Sequence, residues 1–150
     1  MRLVVQRVKS ASCTVDNQIT GQITQGFMVL VGIGLDDNKE IVEKMANKFS
    51  KLRVFDDENQ NLNLSLYDVG GDVLSISQFT LYADASKGNR PSFINAMKGN
   101  EAKELYEYFN ECLRNLNLKV EEGIFGADMA IELINDGPVT IILDSKELIK

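Results

Sequence analysis

The sequence predicts a mixed α/β domain with two β layers and helices laid against one outer side. Three observations predict it. Segments of strand character outnumber helical ones, only two segments carry a helical period long enough to cover a sheet, and no repeat, low-complexity stretch or Pro/Ser-rich linker divides the 150 residues. That length suits one domain, residues 1–150. A chain of this size removes roughly two-thirds of its unfolded surface on folding, without metal or disulfide staples.

The elements follow in order. Leu3 to Val8 and Ala11 to Val15 alternate loosely, as strands do, with turns at Asn17-Gln18 and Gln25-Gly26. Phe27 to Ile33 is a continuous apolar run, the pattern of a strand buried on both faces. Asp36 and Asp37 offer N-cap oxygens to a helix in which Ile41, Met45, Phe49 and Leu52 recur at helical spacing. Lys44, Lys48 and Lys51 decorate its other side; such a run is normally a solvated face, with phosphate contact as the alternative. Arg53-Val54-Phe55 reads as a short strand closed by the polar loop Asp56 to Asn61. Val73 to Leu81 is a further strand, entered through the Gly70-Gly71 turn and followed by a polar loop from Ala83 to Pro91. Asn100 to Leu116 is an amphipathic helix with Ala102, Leu105, Tyr106, Phe109, Leu113 and Leu116 on one stripe. Lys119 to Gly123, Met129 to Ile134 and Val139 to Leu143 complete the strands, the last two joined at Asn135-Asp136-Gly137-Pro138.

Composition narrows the chemistry. The chain is 44% hydrophobic and 25% charged, as soluble globular proteins are. It has no uninterrupted apolar run of membrane-spanning length and no cleavage-site pattern, so no membrane partner and a cytoplasmic location are expected. Cys13 and Cys112 stand far apart and outside any CxxC pair, and are expected to be structural thiols in a reducing compartment. A net charge of −6 opposes a general nucleic-acid coat protein, and no DNA partner is expected. A protein that reads only the end of an RNA could still use a local basic patch. Histidine is absent, which removes Ser-His-Asp and Cys-His catalysis, His-ligated zinc and the imidazole base. Neither metal nor cofactor is expected, and any hydrolytic chemistry must find its proton acceptor elsewhere.

Three segments carry polar groups in unusual settings. In Ser75-Ile76-Ser77-Gln78-Phe79-Thr80-Leu81, strand alternation would put Ser77, Phe79 and Leu81 on one face and Gln78 and Thr80 on the other. Polar residues there are either satisfied at a sheet edge or line a pocket that hydrogen-bonds a substrate. In Asn135-Asp136-Gly137-Pro138-Val139-Thr140, Asp-Gly signals a hairpin, but Pro138 cannot donate to a ladder and belongs at an edge or a strand's beginning. An ordinary tight turn is the default; a cis Gly137-Pro138 bond would instead fix carbonyls that could accept a ligand's ammonium. In Lys87-Gly88-Asn89-Arg90-Pro91-Ser92-Phe93, Lys87 and Arg90 could meet a phosphate or simply be solvated.

Ser77-Gln78-Phe79-Thr80-Leu81 and Asn135-Asp136-Gly137-Pro138-Val139-Thr140 together resemble the two signature motifs of the D-aminoacyl-tRNA deacylases. Val5-Gln6-Arg7-Val8, Leu62-Asn63-Leu64-Ser65, the Lys87 to Phe93 loop and Phe125-Gly126-Ala127 are also similar to family text, so the resemblance covers essentially the whole chain. It departs only by being looser at Lys98-Gly99-Asn100.

The resemblance implies barrel-like mixed sheets and a homodimer that hydrolyses the ester at the aminoacylated 3′ end of tRNA. It implies that Ser77, Gln78, Phe79 and Thr80 surround the terminal adenosine and the ester. It also implies that a cis Gly137-Pro138 pair enters the partner's pocket, faces the substrate's amino group and excludes an L side chain, with Arg7 steadying that loop. Glycyl-tRNA, with no side chain to exclude, becomes an expected second substrate. Two chemical routes stand: assistance by the ribose 2′-hydroxyl with backbone N–H groups near Phe79 and Thr80 binding the oxyanion, or covalent attack by Thr80. The first is favoured, because the sequence offers no convincing base for a threonine nucleophile.

Overall fold

The computed structural model describes residues 1–149. Its fold is organised around one long strand, β1 (Arg2–Val15), where two separate strands were expected. Asp16 and Asn17 follow it with φ values of 49° and 64°. Short polar side chains tolerate that left-handed geometry, and the pair closes a hairpin onto β2 (Gln18–Ile23) one residue earlier than predicted. The first half of β1 pairs antiparallel with β3 (Gly26–Gly32) and the second half with β2. The apolar run does form a strand buried on both faces, exposed in part only at Leu30. Phe27, Val29 and Val31 face the helix layer, and Met28 faces the second core.

α1 (Lys39–Ser50) follows, but neither Asp36 nor Asp37 caps it. Asn38 does, its Oδ1 accepting the Ile41 N–H at 3.0 Å. Asp37 turns inward, accepting from the Gly34 N–H at 2.6 Å and from the Met1 ammonium, itself also bonded to Ser145 Oγ at 2.6 Å. The buried stripe of α1 is Val42, Met45, Ala46 and Phe49, with Ile41 and Leu52 only half-buried at its margins. A two-stranded ribbon of β4 (Phe55–Asp56) and β5 (Leu62–Leu64) comes next. The single turn α2 (Leu66–Val69) was not anticipated. Its signals were local all the same: Ser65 and Asp68 form a capping box, and Gly70 ends the turn at φ 64°.

β6 (Asp72–Ser77) pairs in parallel with β3, and β7 (Val120–Glu122) in parallel with β6. Each parallel pair needs a crossover, and the two crossovers carry α1 and α3 (Gly99–Asn115). Both helices land on the same face, where Phe49 meets Phe109 at 5.9 Å and Phe27 at 5.5 Å between ring centroids. β8 (Ala130–Asp144) then runs along β1 from Arg2 to Thr14, and α4 (Ser145–Leu148) closes the described chain. β2 and β7 approach closely: a Cβ on Gly21 would lie 3.0 Å from Glu121 Cβ. One curled, nearly closed sheet therefore supplies both predicted β layers. It encloses a small core of Val8, Ala11, Cys13, Ile23, Met28, Leu74 and Ile76, while the larger core lies between sheet and helices.

Replacing Phe49 by Ala removes a fully buried ring from the centre of the helix-side core. The expected loss is about 3–5 kcal/mol, read as a lower urea midpoint; a loss under about 1 kcal/mol would contradict this packing. At the other margin, Asp144 accepts from Arg2 Nε at 3.0 Å and from the Lys146 N–H at 2.9 Å. Burial pushes its carboxyl up, but those hydrogen bonds and the Arg2 charge outweigh it and hold the group below the usual aspartate range. A lowered folded value means stability fully present above the unfolded value of about 3.9 and lost as pH falls through the folded one. Asp144→Asn should therefore flatten the stability loss below about pH 4 in urea titrations; an unchanged acid limb would refute this role.

Candidate active site

β6 stops at Ser77, four residues short of the predicted end. Gln78 still donates its N–H to Val31 O at 2.8 Å, and the chain then enters a 3₁₀ turn, Phe79–Tyr82, across the end of β3. Close approach to two glycines permits this. A Cβ on Gly32 would lie 3.0 Å from Leu81 Cβ, and one on Gly34 would lie 2.8 Å from the Tyr82 ring. The predicted alternation of Ser77, Phe79 and Leu81 against Gln78 and Thr80 is therefore lost beyond Ser77. Instead Phe79 and Thr80 stand exposed at a rim, with Leu81 and Tyr82 folded half inward.

Beside that rim lies a cleft of about 320 Å³. Ser77, Gln78 and Phe79 form one wall, Phe125 to Asp128 the other, and Ile76 and Met129 contribute apolar surface. Volume does not single it out, since a cleft of about 650 Å³ lies between α1 and α4. What distinguishes the smaller one is its position outside the carboxyl ends of parallel strands. The rim beside it has donors to spare: the first N–H groups of a 3₁₀ turn lack intrahelical acceptors, and those of Phe79 and Thr80 find none elsewhere among the described residues.

Thr80 does not line the cleft, and its hydroxyl accepts a hydrogen bond from Gln78 Nε2. Among the described residues neither a carboxylate nor Lys87 hydrogen-bonds that hydroxyl. Asp128 is the one ionisable residue in the lining. The Lys87 to Phe93 loop reaches the same rim, because Phe93 packs edge-on against Phe79 with centroids 5.1 Å apart. Reciprocal backbone bonds of 2.8 Å between Asp84 and Ser92 close that loop, leaving Lys87 and Arg90 exposed between them. No three Cys, Asp or Glu side chains gather as a metal-binding set among the described residues.

The Asn135 to Thr140 segment does not reverse the chain. β8 continues through it, with Asn135 opposite Val8 and Thr140 opposite Gln6, so Asp136 to Val139 loop out opposite Arg7 alone. A proline without an N–H fits where the ladder is already broken. Gly137 has φ 127°, and the Gly137-Pro138 bond is cis. Arg7, 4% exposed, occupies the gap. Its Nε donates to Asp136 O at 2.9 Å and its Nη1 to Val54 O at 2.8 Å, with Asp56 and Asp136 carboxylates at 3.4 and 3.5 Å. Gly137 and Pro138 stay exposed and outside this chain's own cleft. Of the segments predicted to act together, the structure thus joins Ser77 to Thr80 with the Lys87–Arg90 loop, and separately joins Arg7 with Gly137-Pro138.

The family model described as "D-Tyr-tRNA(Tyr) deacylase" matches residues 4–144. This chain belongs to that family. D-aminoacyl-tRNA deacylase of Clostridium beijerinckii is 57% identical over 146 residues, 97% of this chain and 98% of the relative. That of Thermosipho africanus is 52% identical over 148 residues, 99% of each. Among solved structures, the c-Myc DNA unwinding element binding protein superposes with a TM-score of 0.90 at 42% identity, over 96% of this chain and 98% of the other. A probable eukaryotic D-amino acid tRNA deacylase shares the fold, with a TM-score of 0.81 at 17% identity over 95% and 97% of the two chains. The activity is that of a D-aminoacyl-tRNA deacylase, a hydrolase of carboxylic esters whose partner is aminoacylated tRNA.

The candidate cleft also includes Phe125, Ala127 and Met129, which were not among the predicted site residues. The resemblance pointed to Phe125-Gly126-Ala127; Met129 carried no signal in the sequence, and its place depends on the close approach of Gly123, where a Cβ would lie 2.5 Å from Met129 Sδ. Without an activating base, Thr80→Ala should reduce kcat less than about tenfold, whereas loss of a true nucleophile costs on the order of 10⁶. A trapped acyl-threonine intermediate would overturn this.

Proposed function

We propose that the deacylase works as a homodimer in the cytoplasm, with the Gly137-Pro138 bulge of each protomer completing the cleft of the other. The observation that carries this reading is the bulge itself: exposed, clamped by a buried Arg7, and absent from the lining of its own cleft. Two further features support it. Among the described residues β8 pairs only with β1, leaving its other edge unpaired over fifteen residues, a surface that proteins normally cover. Ile134, Ile142 and Phe79 are exposed at 57%, 66% and 54%, which favours burial against a second copy.

In the assembled pocket, Ser77, Gln78 and Phe79 hold the terminal adenosine and the ester, and Thr80 lies at the rim. The free N–H groups of Phe79 and Thr80 receive the developing oxyanion. An aminoacyl ester is already activated, so positioning and this charge stabilisation suffice, with the neighbouring ribose 2′-hydroxyl moving the proton. The absence of histidine supports this substrate-assisted route. The Gly137 and Pro138 carbonyls accept from the substrate ammonium, and the main-chain wall leaves no room for an L side chain. Glycine carries no side chain to reject, so glycyl-tRNA mischarged on tRNA(Ala) is a second substrate. Lys87 and Arg90 flank the incoming 3′ end, where phosphates would meet them.

The decisive measurement is deacylation of D-tyrosyl-, L-tyrosyl- and glycyl-tRNA by purified protein, with a chelator present. D-tyrosyl- and glycyl-tRNA should be cleaved and L-tyrosyl-tRNA spared by roughly a hundredfold or more. Equal cleavage of a free D-tyrosine ester would instead favour a general esterase. Arg7→Lys keeps the charge but loses the guanidinium fork, and should narrow the D/L ratio by destabilising the bulge. An unchanged ratio would remove Gly137-Pro138 from chiral selection.

A further inference from the structure

The cleft of about 650 Å³ between α1 and α4 is lined by Lys44, Lys48, Lys51 and Arg53, with Leu52 and Leu148 among its apolar residues. Among the described residues no Asp or Glu contributes to its lining, in a chain whose 22 acidic residues outnumber its 16 basic ones. Lys44 pairs with Glu40 at 2.7 Å, while Lys48 and Lys51 have no carboxylate within 4.0 Å among the described residues. The three lysines lie at i, i+4 and i+7 of one helical stripe, spanning about 10 Å, a length over which a nucleic-acid duplex presents several backbone charges. The helix dipole favours cations near the end of α1. It gives no reason for Arg53, which comes from a separate segment and is fixed by donating to Asn63 O at 2.8 Å.

The position of the cleft supplies a second argument. Arg53 adjoins Val54, whose carbonyl accepts from Arg7, and the same guanidinium holds Asp136 beside Gly137-Pro138. One buried cation therefore ties the edge of the basic cleft to the bulge. We propose that Lys48, Lys51 and Arg53 of one protomer hold backbone phosphates of the acceptor stem whose aminoacylated end occupies the other protomer's pocket. The proposal rests on the shared-pocket reading above. It explains how an acidic protein holds a polyanion: affinity comes from one local, sequence-independent patch.

The test compares wild type with Lys48→Gln/Lys51→Gln on two substrates, D-tyrosyl-tRNA and D-tyrosyl-adenosine, the latter lacking the stem. For D-tyrosyl-tRNA, KM should rise on the order of tenfold at unchanged kcat, and the slope of log KM against log salt should fall by about 2. D-tyrosyl-adenosine should be cleaved as by wild type, and Lys48→Arg/Lys51→Arg should restore KM on tRNA. An unchanged KM and salt slope on tRNA would overturn the proposal, as would an equal rise in KM for both substrates. The shared pocket is read separately: a D/L ratio unaltered in Arg7→Lys removes that premise. A narrowed ratio in Arg7→Lys with an unaltered salt slope in the lysine variant removes the basic cleft alone.

Discussion

A single buried guanidinium holds together the break in the ladder between β1 and β8. Arg7 sits where β8 leaves its ladder with β1, and its N–H groups take over the hydrogen bonds that the strand has surrendered. A buried cation is tolerable only when its donors and charge are answered. Here two carbonyls and two carboxylates, drawn from the Val54–Asp56 segment and from Asp136, answer it. One side chain thereby fixes the relative placement of the strand, the loop after α1 and the exposed Gly137-Pro138 bulge. Gly137 is required at that point, since a Cβ there would come within 2.8 Å of Arg7 Nη2.

The cleft beside Phe79 depends on how a parallel strand ends. Strand pairing carries Ser77 to the sheet's margin, and the glycines at positions 32 and 34 let the next turn fold down onto β3. That turn converts a run of strand-like residues into a rim with free backbone donors. Rigid strands thus position the cleft, and a short irregular segment shapes its rim.

Several features were legible in the amino-acid order because their causes are local. The Phe27 to Ile33 run is apolar on both faces and becomes an internal strand; the stripe through Leu105, Tyr106 and Phe109 becomes the buried side of α3. The absence of histidine excludes imidazole chemistry on composition alone. Other readings failed where tertiary partners outbid local preference. Asp37 has the right side chain for a cap, but the Met1 ammonium and the Gly34 N–H claim it. Phe79 to Leu81 have strand propensity, but no neighbouring strand extends far enough to pair with them. Asp-Gly-Pro reads as a chain reversal, yet the segment loops out of a continuing strand because β1 pairs on both sides of it.

The sequence by itself determined the fold class and the family and named the candidate residues, since periodicity, composition and motif identity all reside in the order of side chains. Only the tertiary structure decided how those residues are grouped. Ser77 and Gln78 meet Phe125 and Ala127 across a cleft, while Gly137 and Pro138, similar in motif weight, lie apart from it. The physical reason is that grouping depends on strand register and on which buried polar group satisfies which, and both are settled by contacts between residues far apart in the chain.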